Sequence, residues 1–358
     1  MKFKITIKPN QVKETYRIIL TPEKYLPYTV AYIGTNSYCW NMWINNAIDF
    51  SAKDNSLIQN LQIGNFCSIG DNLECIFGKN HNYKNISTGA LFHLFESNNI
   101  QRNPTAPSFL NKGSIIIQND VWIGENVTIM PGVTIRNGAV IAKNSHVVSD
   151  IPPYAIAGGN PAKIIGYQYN PEQINMLQTI SWWDWDTQKL LDNSDYFTED
   201  IDTFCTTFYE EANRNFQKYI SQRKMDYDCY FAFVDFYENY ACYSKILESF
   251  LDHHLNNNNK KLLLFIQDDC KDGNINSELY KQLTEIVDNL NHDSNIQCSI
   301  EVKRGTIHDA KKYFFNCSHY IVSRTYDAVY FTCLADKLGI DIISGVDNVI
   351  QFEKRKNF

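Results

Sequence analysis

Aliphatic residues recur every six positions through the middle of the first half: Ile117, Ile123, Ile129, Ile135, Ile141 and Val147. Four positions after each of the first five stand Val121, Val127, Val133, Ala139 and Ser145, all small or β-branched. The positions between them hold Asn, Asp, Gly, Pro, Lys and Glu. A helix needs a period near 3.6 and a plain strand a period of 2. Six fits neither. It fits short strands joined by turns, each carrying the chain along one face of a prism. An earlier block, Ile63, Ile69 and Cys75 with Cys67 and Leu73, keeps the same spacing. The pattern is the hexapeptide repeat of a parallel β-helix, in which each coil buries its inward residues against its neighbours. The spacing leaves the handedness open.

The repeat breaks between Cys75 and Ile117 for a long polar insertion with scattered aromatics, CIFGKNHNYKNISTGALFHLFESNNIQRNPTAPSFLNKGS. Long loops on a regular scaffold are usually functional. The repeat ends at the Gly/Pro-rich turn PPYAIAGGNPAKIIG, and PEQINMLQTISWWDWDTQKLLDN reads as two short helices with a Trp cluster. Trp182, Trp183 and Trp185 are expected to pack these helices against the prism. Beyond about residue 195 the period of six is gone. CYFAFVDF, KLLLFIQ, QCSIEVK, YIVS and DIISG read as five buried strands, alternating with helical stretches. Such alternation predicts a parallel α/β sheet of Rossmann-like type. The expected organisation is a β-helix domain over 1–195, a helical linker over 196–224 and an α/β domain over 225–358.

Composition narrows the partners. Lys plus Arg is 33 against 40 for Asp plus Glu, a net charge of −7, which excludes a broad basic surface for nucleic acid or anionic membranes. No run of 18 apolar residues suggests a transmembrane helix. The N-terminal MKFKITIK alternates like a strand and lacks the apolar core of a signal peptide, so a cytoplasmic location is expected. The ten cysteines contain no C-x-x-C pair, and they read as reduced, mostly buried small hydrophobes. No metal site is expected.

The segments IGNFCSIGDNLECIFGKNHNY, NDVWIGENVTIMPGVTIRNGAVIAKNSHVVSDIPPYAIAGGNPAKIIG and WWDWD resemble, in order and spacing, the xenobiotic (CatB-like, virginiamycin-type) acetyltransferases of the left-handed β-helix superfamily. The resemblance covers roughly residues 28–195. It implies a left-handed helix, acetyl-CoA as co-substrate and a homotrimer with active sites between subunits. It assigns His81, in GKNH, as the general base. Imidazole, with an unperturbed pKa near 6.5, can take a hydroxyl proton near neutrality and return one to a leaving thiolate. The resemblance also assigns the acetyl-CoA contacts. Gly124 and Ala142 are small turn residues along the pantetheine arm, or small for turn geometry alone. Trp122 lies near the reactive end of the arm, or serves packing alone. Gly159, Asn160, Pro161 and Lys163 form the turn at its nucleotide end, with Lys163 either meeting the 3′-phosphate or standing as a solvated surface charge. Tyr38, Asn80, Tyr83 and Phe92 are the candidate acceptor-binding residues, and the aromatics among them serve equally well to seal a loop or subunit interface.

The second half resembles, in element order and in YFFNCSHYIVSRTYDAVYFTCLADKLGIDIISG, the C-terminal half of GT-B glycosyltransferases. That family carries two glutamates eight positions apart; here the positions hold Asp327 and Ala335, and the other GT-B half is missing. Independent glycosyl transfer is therefore not expected. Ser323, Arg324 and Asp327 fall where an α/β sheet binds ligand, outside the carboxyl ends of its strands. The leading expectation is an acetyl-CoA-dependent O-acetyltransferase acting on a sugar hydroxyl of a surface glycan or its precursor. Acetylation of a streptogramin or chloramphenicol, N-acetylation of a nucleotide-linked amino sugar, and a non-catalytic trimeric scaffold stand as alternatives.

Overall fold

The computed structural model describes residues 3–7, 28–46, 60–77, 80–81, 86–87, 91–98, 109–110, 113–224, 227–235, 242–268, 275–325 and 327–343. The chain enters through β1 (Phe3–Ile7) and β2 (Tyr28–Ile33), which pair antiparallel. It continues through β3 (Tyr38–Cys39), β4 (Met42–Asn46), β5 (Leu61–Ile63), β6 (Ser68–Ile69) and β7 (Leu73–Phe77). An excursion carries β8 (Asn80–His81), α1 (Leu91–Ser97) and β9 (Phe109–Leu110). The coils then resume with β10 (Ile115–Ile117), β11 (Trp122–Ile123), β12 (Thr128–Ile129), β13 (Thr134–Ile135), β14 (Val140–Ile141) and β15 (His146–Val147). A hairpin of β16 (Ala155–Gly159) and β17 (Ala162–Tyr167) closes the stack.

Three sheets form the prism. The first face is β1-β2-β5-β10-β13, the second β3-β6-β11-β14-β16-β17 and the third β4-β7-β12-β15. From one coil to the next the strands pair in parallel, with aliphatics in register, as in Ile63–Ile117–Ile135 and Ile69–Ile123–Ile141. The apolar residues of the period-six series are buried in one continuous core, and Ser145 is buried as well. The corners need positive φ, and Asn36, Asn72, Asn126 and Asn144 supply it (φ 56 to 61°), because the short Asn side chain tolerates the left-handed region. A second asparagine stack holds successive coils together. Asn65 Oδ1 accepts from Thr35 N, Asn119 Oδ1 from Asn65 N and Asn137 Oδ1 from Asn119 N, each at 2.8–2.9 Å.

Helices α2 (Pro171–Ile180), α3 (Thr187–Asp192) and α4 (Ile201–Ser221) follow. Asn170 and Gln173 form a capping box at the start of α2, and Asp200 caps α4. Trp182, Trp183 and Trp185 pack with Tyr154, Phe204 and Phe208 in a cluster on the prism, as expected. Trp183 is fully buried, and its carbonyl accepts from Asn65 Nδ2 (3.2 Å).

The remaining chain alternates β18 (Asp228–Phe233), α5 (Tyr243–His254), β19 (Lys260–Gln267), α6 (Ile275–His292), β20 (Ser299–Gly305), α7 (Ile307–Phe314), β21 (His319–Ile321), α8 (Ala328–Leu338) and β22 (Asp341–Ile343). All five strands are parallel, in the order β20-β19-β18-β21-β22. Helices cover both faces: α7 and α8 share one core with the sheet, α5 and α6 the other. One expectation needs correcting. β18 and β19 are buried, but β20 and β22 are largely half-buried, because they are the sheet edges and have a neighbour on one side only.

The two halves meet through the first face of the prism. Its outward column, Tyr32–Gln62–Ile116–Thr134, is buried throughout, and Ile116 belongs to the α/β core. Helix α8 makes the polar contacts. Asp336 accepts from Gln118 Nε2 (2.7 Å) and Arg136 Nε (3.1 Å), and Asn119 Nδ2 lies 3.3 Å from Cys333 Sγ. Lys337 donates to the Ser181 hydroxyl. Nine cysteines fall among the described residues; all are free thiols and eight are buried. Burial pushes Cys67 up to about 12, so these thiols act as small hydrophobes. Among the described residues no helix is long and apolar enough to cross a membrane.

Candidate active site

The outward column of the second face runs Tyr38–Ser68–Trp122–Val140–Ile156. Unlike the first face, it is open. Trp122 is 59% exposed and Tyr38 55%. A strand of this repeat turns one residue inward and the next outward. Ile123 therefore fills the core while Trp122 stands out from the surface, fixed by its N–H bond to Ala139 O (3.0 Å).

Just past these strands lies a column of small residues, one per coil. Gly70 N bonds Ile123 O, Gly124 N bonds Ile141 O and Ala142 N bonds Ala157 O, all at 2.8 Å. Gly158 continues the column, and a Cβ there would meet the Ala142 methyl at 3.0 Å. A Cβ on Gly124 would lie 2.7 Å from Lys143 N. Coil packing alone thus excludes a side chain at 124, whatever else the column does. Gly70 and Gly158 were not among the expected site residues. Their signal was the residue after each inward aliphatic or alanine: Ile69–Gly70, Ile123–Gly124, Ile141–Ala142, Ala157–Gly158.

The column ends at the β16–β17 hairpin. Asn160 and Pro161 form its two-residue tip between the paired Gly159 and Ala162. Gly159 has φ +101°, a conformation that side chains disfavour. Lys163 pairs with Gly158 and is exposed, with its ammonium available to an anion. Trp122, Gly124, Ala142 and the Gly159–Lys163 turn are thereby brought onto one edge of the second face.

His81 sits elsewhere in the coil. It leaves the third face after β7 and lies in β8, which pairs antiparallel with β9: Asn80 opposite Leu110 and His81 opposite Phe109. A two-stranded ladder thus holds the backbone of Asn80 and His81. Phe92 lies in α1. Tyr83 lies outside the described residues.

One ionisable group near this edge was not expected. Asp120, at the corner before Trp122, has φ +57°. Burial raises its carboxyl to about 7. Tyr154, also pushed up by burial, is close enough for the two to interact. The sequence carries no sign of this, since four neighbouring corners use Asn.

No family model matches the chain. Relatives do. A protein described as a probable macrolide acetyltransferase of Lysinibacillus sphaericus is 43% identical over 141 residues, covering 39% of this chain and 78% of the relative. A chloramphenicol acetyltransferase of Escherichia coli is 36% identical over 164 residues, covering 44% of this chain and 77% of that protein. Among solved structures, a hexapeptide-repeat acetyltransferase of Vibrio cholerae complexed with acetyl coenzyme A is 26% identical, with a TM-score of 0.29 over 39% of this chain and 62% of that one. With more than three-quarters of such relatives' length matched and a hexapeptide prism to carry it, the chain belongs to the xenobiotic acetyltransferases of the hexapeptide-repeat type, enzymes that draw their acetyl group from acetyl-CoA.

Proposed function

We propose that the protein is an O-acetyltransferase that moves the acetyl group of acetyl-CoA to a sugar hydroxyl of a surface glycan or its precursor in the cytoplasm, with His81 as general base. The observation that carries the acceptor is the α/β unit docked over the first prism face. More than half of the chain lies outside the alignments to its relatives, and the unit bonded to the prism by Gln118, Arg136 and Asp336 supports a role in choosing the acceptor. We read this unit as Rossmann-like and the prism as left-handed.

In this reading the acceptor hydroxyl attacks the thioester carbonyl while His81 takes its proton. The C–O bond forms, the tetrahedral oxyanion collapses, the C–S bond breaks, and the thiolate recovers the proton from the imidazolium. A base of this kind contributes about 10²–10⁴-fold. A backbone N–H of a neighbouring coil is the natural oxyanion donor. The open edge from Trp122 through Gly124 and Ala142 to Gly159, Asn160, Pro161 and Lys163 takes the pantetheine arm, with Lys163 as a point charge for phosphate. Tyr38, Asn80, Tyr83 and Phe92 border the acceptor. Subunits assemble as a homotrimer through the second and third faces, since the first is covered.

A second reading keeps the chemistry and changes the acceptor to an antibiotic, on the strength of the macrolide and chloramphenicol relatives. Thiol release from acetyl-CoA across glycans, nucleotide sugars and antibiotics separates the two; turnover of antibiotics and of no sugar overturns the first. His81→Ala should cost at least two orders of magnitude in kcat while acetyl-CoA still binds. Near-normal turnover by that variant would remove the histidine from the mechanism.

A further inference from the structure

The strand order β20-β19-β18-β21-β22 reverses direction between β18 and β21. Ligands of open parallel sheets bind in the crevice outside the carboxyl ends of the strands at such a switch. Here that crevice is bordered by Asp235 after β18 and by Ser323, Arg324 and Thr325 after β21. Asp235 and Arg324 are 3% and 4% exposed and form a buried ion pair (3.4 Å). Ser323 is 2% exposed, and neither its hydroxyl nor that of Thr325 has a hydrogen-bond partner among the described residues. A buried hydroxyl left unbonded opposes folding, and a ligand that bonds it relieves that cost. Along the strand, Tyr320 and Val322 face the α7–α8 core and Ile321 the α5–α6 core. Continued alternation turns Ser323 to the α5 side, where Asp235 caps that helix.

The charges select the ligand. A phosphate would seek a helix N-terminus. At α5 that place is taken: the Asp235 carboxylate accepts from Cys242 N (2.9 Å) and Tyr243 N (3.3 Å). At α8 the N-cap is Asp327, whose carboxylate accepts from Gln267 Nε2 (3.1 Å) and would repel an anion. Both arginines at this edge already hold carboxylates, Arg324 with Asp235 and Arg304 with Asp268. Lys311 lies over the Tyr330 ring and interacts with Asp184 and Asp327. Among the described residues, Asp235, Asp268 and Asp327 stand against Arg304, Arg324 and Lys311, so the crevice mouth carries no excess of positive charge to draw an anion. Hydroxyls and carboxylates of this kind suit groups that both donate and accept without charge.

We infer that the switch-point crevice between β18 and β21 is a binding site for a neutral, hydroxyl-rich ligand, a glycan sugar rather than a nucleotide or phosphate. The Tyr32 hydroxyl of the prism donates to the Arg324 carbonyl (3.1 Å), so the crevice is bonded to the acetyl-transferring half. The inference rests on the glycan-acceptor reading for its choice of sugar.

The test is titration calorimetry on the full chain without acetyl-CoA. The probes are neutral glucose-, galactose- and N-acetylglucosamine-terminated oligosaccharides, with UDP and inorganic phosphate alongside. A neutral sugar should bind, and Ser323→Ala or Thr325→Val should weaken it about tenfold with the circular dichroism spectrum unchanged. In turnover assays Ser323→Ala should raise KM for the glycan and leave KM for acetyl-CoA as it was. Binding of UDP or phosphate that Ser323→Ala weakens, no sugar binding at all, or sugar binding that neither variant changes would each overturn the site. A sugar that binds through Ser323 but is never acetylated would instead overturn the acceptor reading and leave the site standing.

Discussion

At the scale of single residues, a motif in the sequence can nominate chemistry, whereas chemistry that depends on burial leaves no mark in it. His81 is proposed as the base on the GKNH string. Gly124 is legible as a small residue, but only the structure separates its coil-packing role from any role toward acetyl-CoA, because the limiting contact is with Lys143 in the next coil. Asp120 is illegible, since its carboxyl is raised to about 7 only by what the folded corner puts around it. The consequence for stability has a definite sign. Below about pH 4 the carboxyl is protonated in both folded and unfolded chains. Between about 4 and 7 the folded chain holds a proton that the unfolded chain has released, so stability falls as pH rises through this window. Asp120→Asn removes the titration and places in the corner the residue used at 36, 72, 126 and 144. The variant should have a higher Tm than the parent at pH 8, and the difference should shrink steadily toward pH 4.5. A difference independent of pH would show that burial of Asp120 is not what stabilises its proton.

At the scale of elements, periodicity carried most of the architecture. A period of six marked coils from Ile117 onward and in the block from Ile63 to Cys75, and runs such as KLLLFIQ marked buried strands. What it did not mark was the partner of each surface. QCSIEVK has the composition of a buried strand, yet it lies at a sheet edge and is half-buried, because strand order is a long-range property. The outward residues of the first face, among them Gln62, Gln118 and Asn119, read as solvent-facing in the repeat but are buried under the α/β unit. Buried amides need partners; α8 supplies them to Gln118 and Asn119, while Gln62 Nε2 donates to Asn60 Oδ1 (3.0 Å). Asp336 receives Gln118 and Arg136, so Asp336→Ala should leave the buried Gln118 amide without its acceptor and Arg136 with Asp150 alone. A loss of about 1–3 kcal/mol in urea unfolding is expected. The double variant with Arg136→Ala should cost less than the sum of the single losses, since the two side chains share one contact. Strict additivity would mean that the pair contributes nothing to docking.

At the scale of the whole molecule, the covered face constrains assembly. A triangular prism offers three outward surfaces, and one of them is already used within the chain. Tyr38 and Trp122 remain exposed on the second face, Trp43 on the third and Trp40 between them. Exposed aromatics of this number are unusual on a monomer and mark interaction surfaces. In the proposed trimer each copy therefore sets its second face against a neighbour's third, which also lines the subunit junction with Trp122. Light scattering should give three times the 41.5 kDa chain mass. Trp43→Glu, whose side chain is 55% exposed and pairs in register with Glu74, places like charges side by side at that junction. The variant should dissociate toward the 41.5 kDa species and keep the circular dichroism spectrum of a folded prism. Activity should fall with the trimer fraction as the protein is diluted. A Trp43→Glu protein that stays trimeric and fully active would place the subunit contact away from the third face, and with it the shared active site.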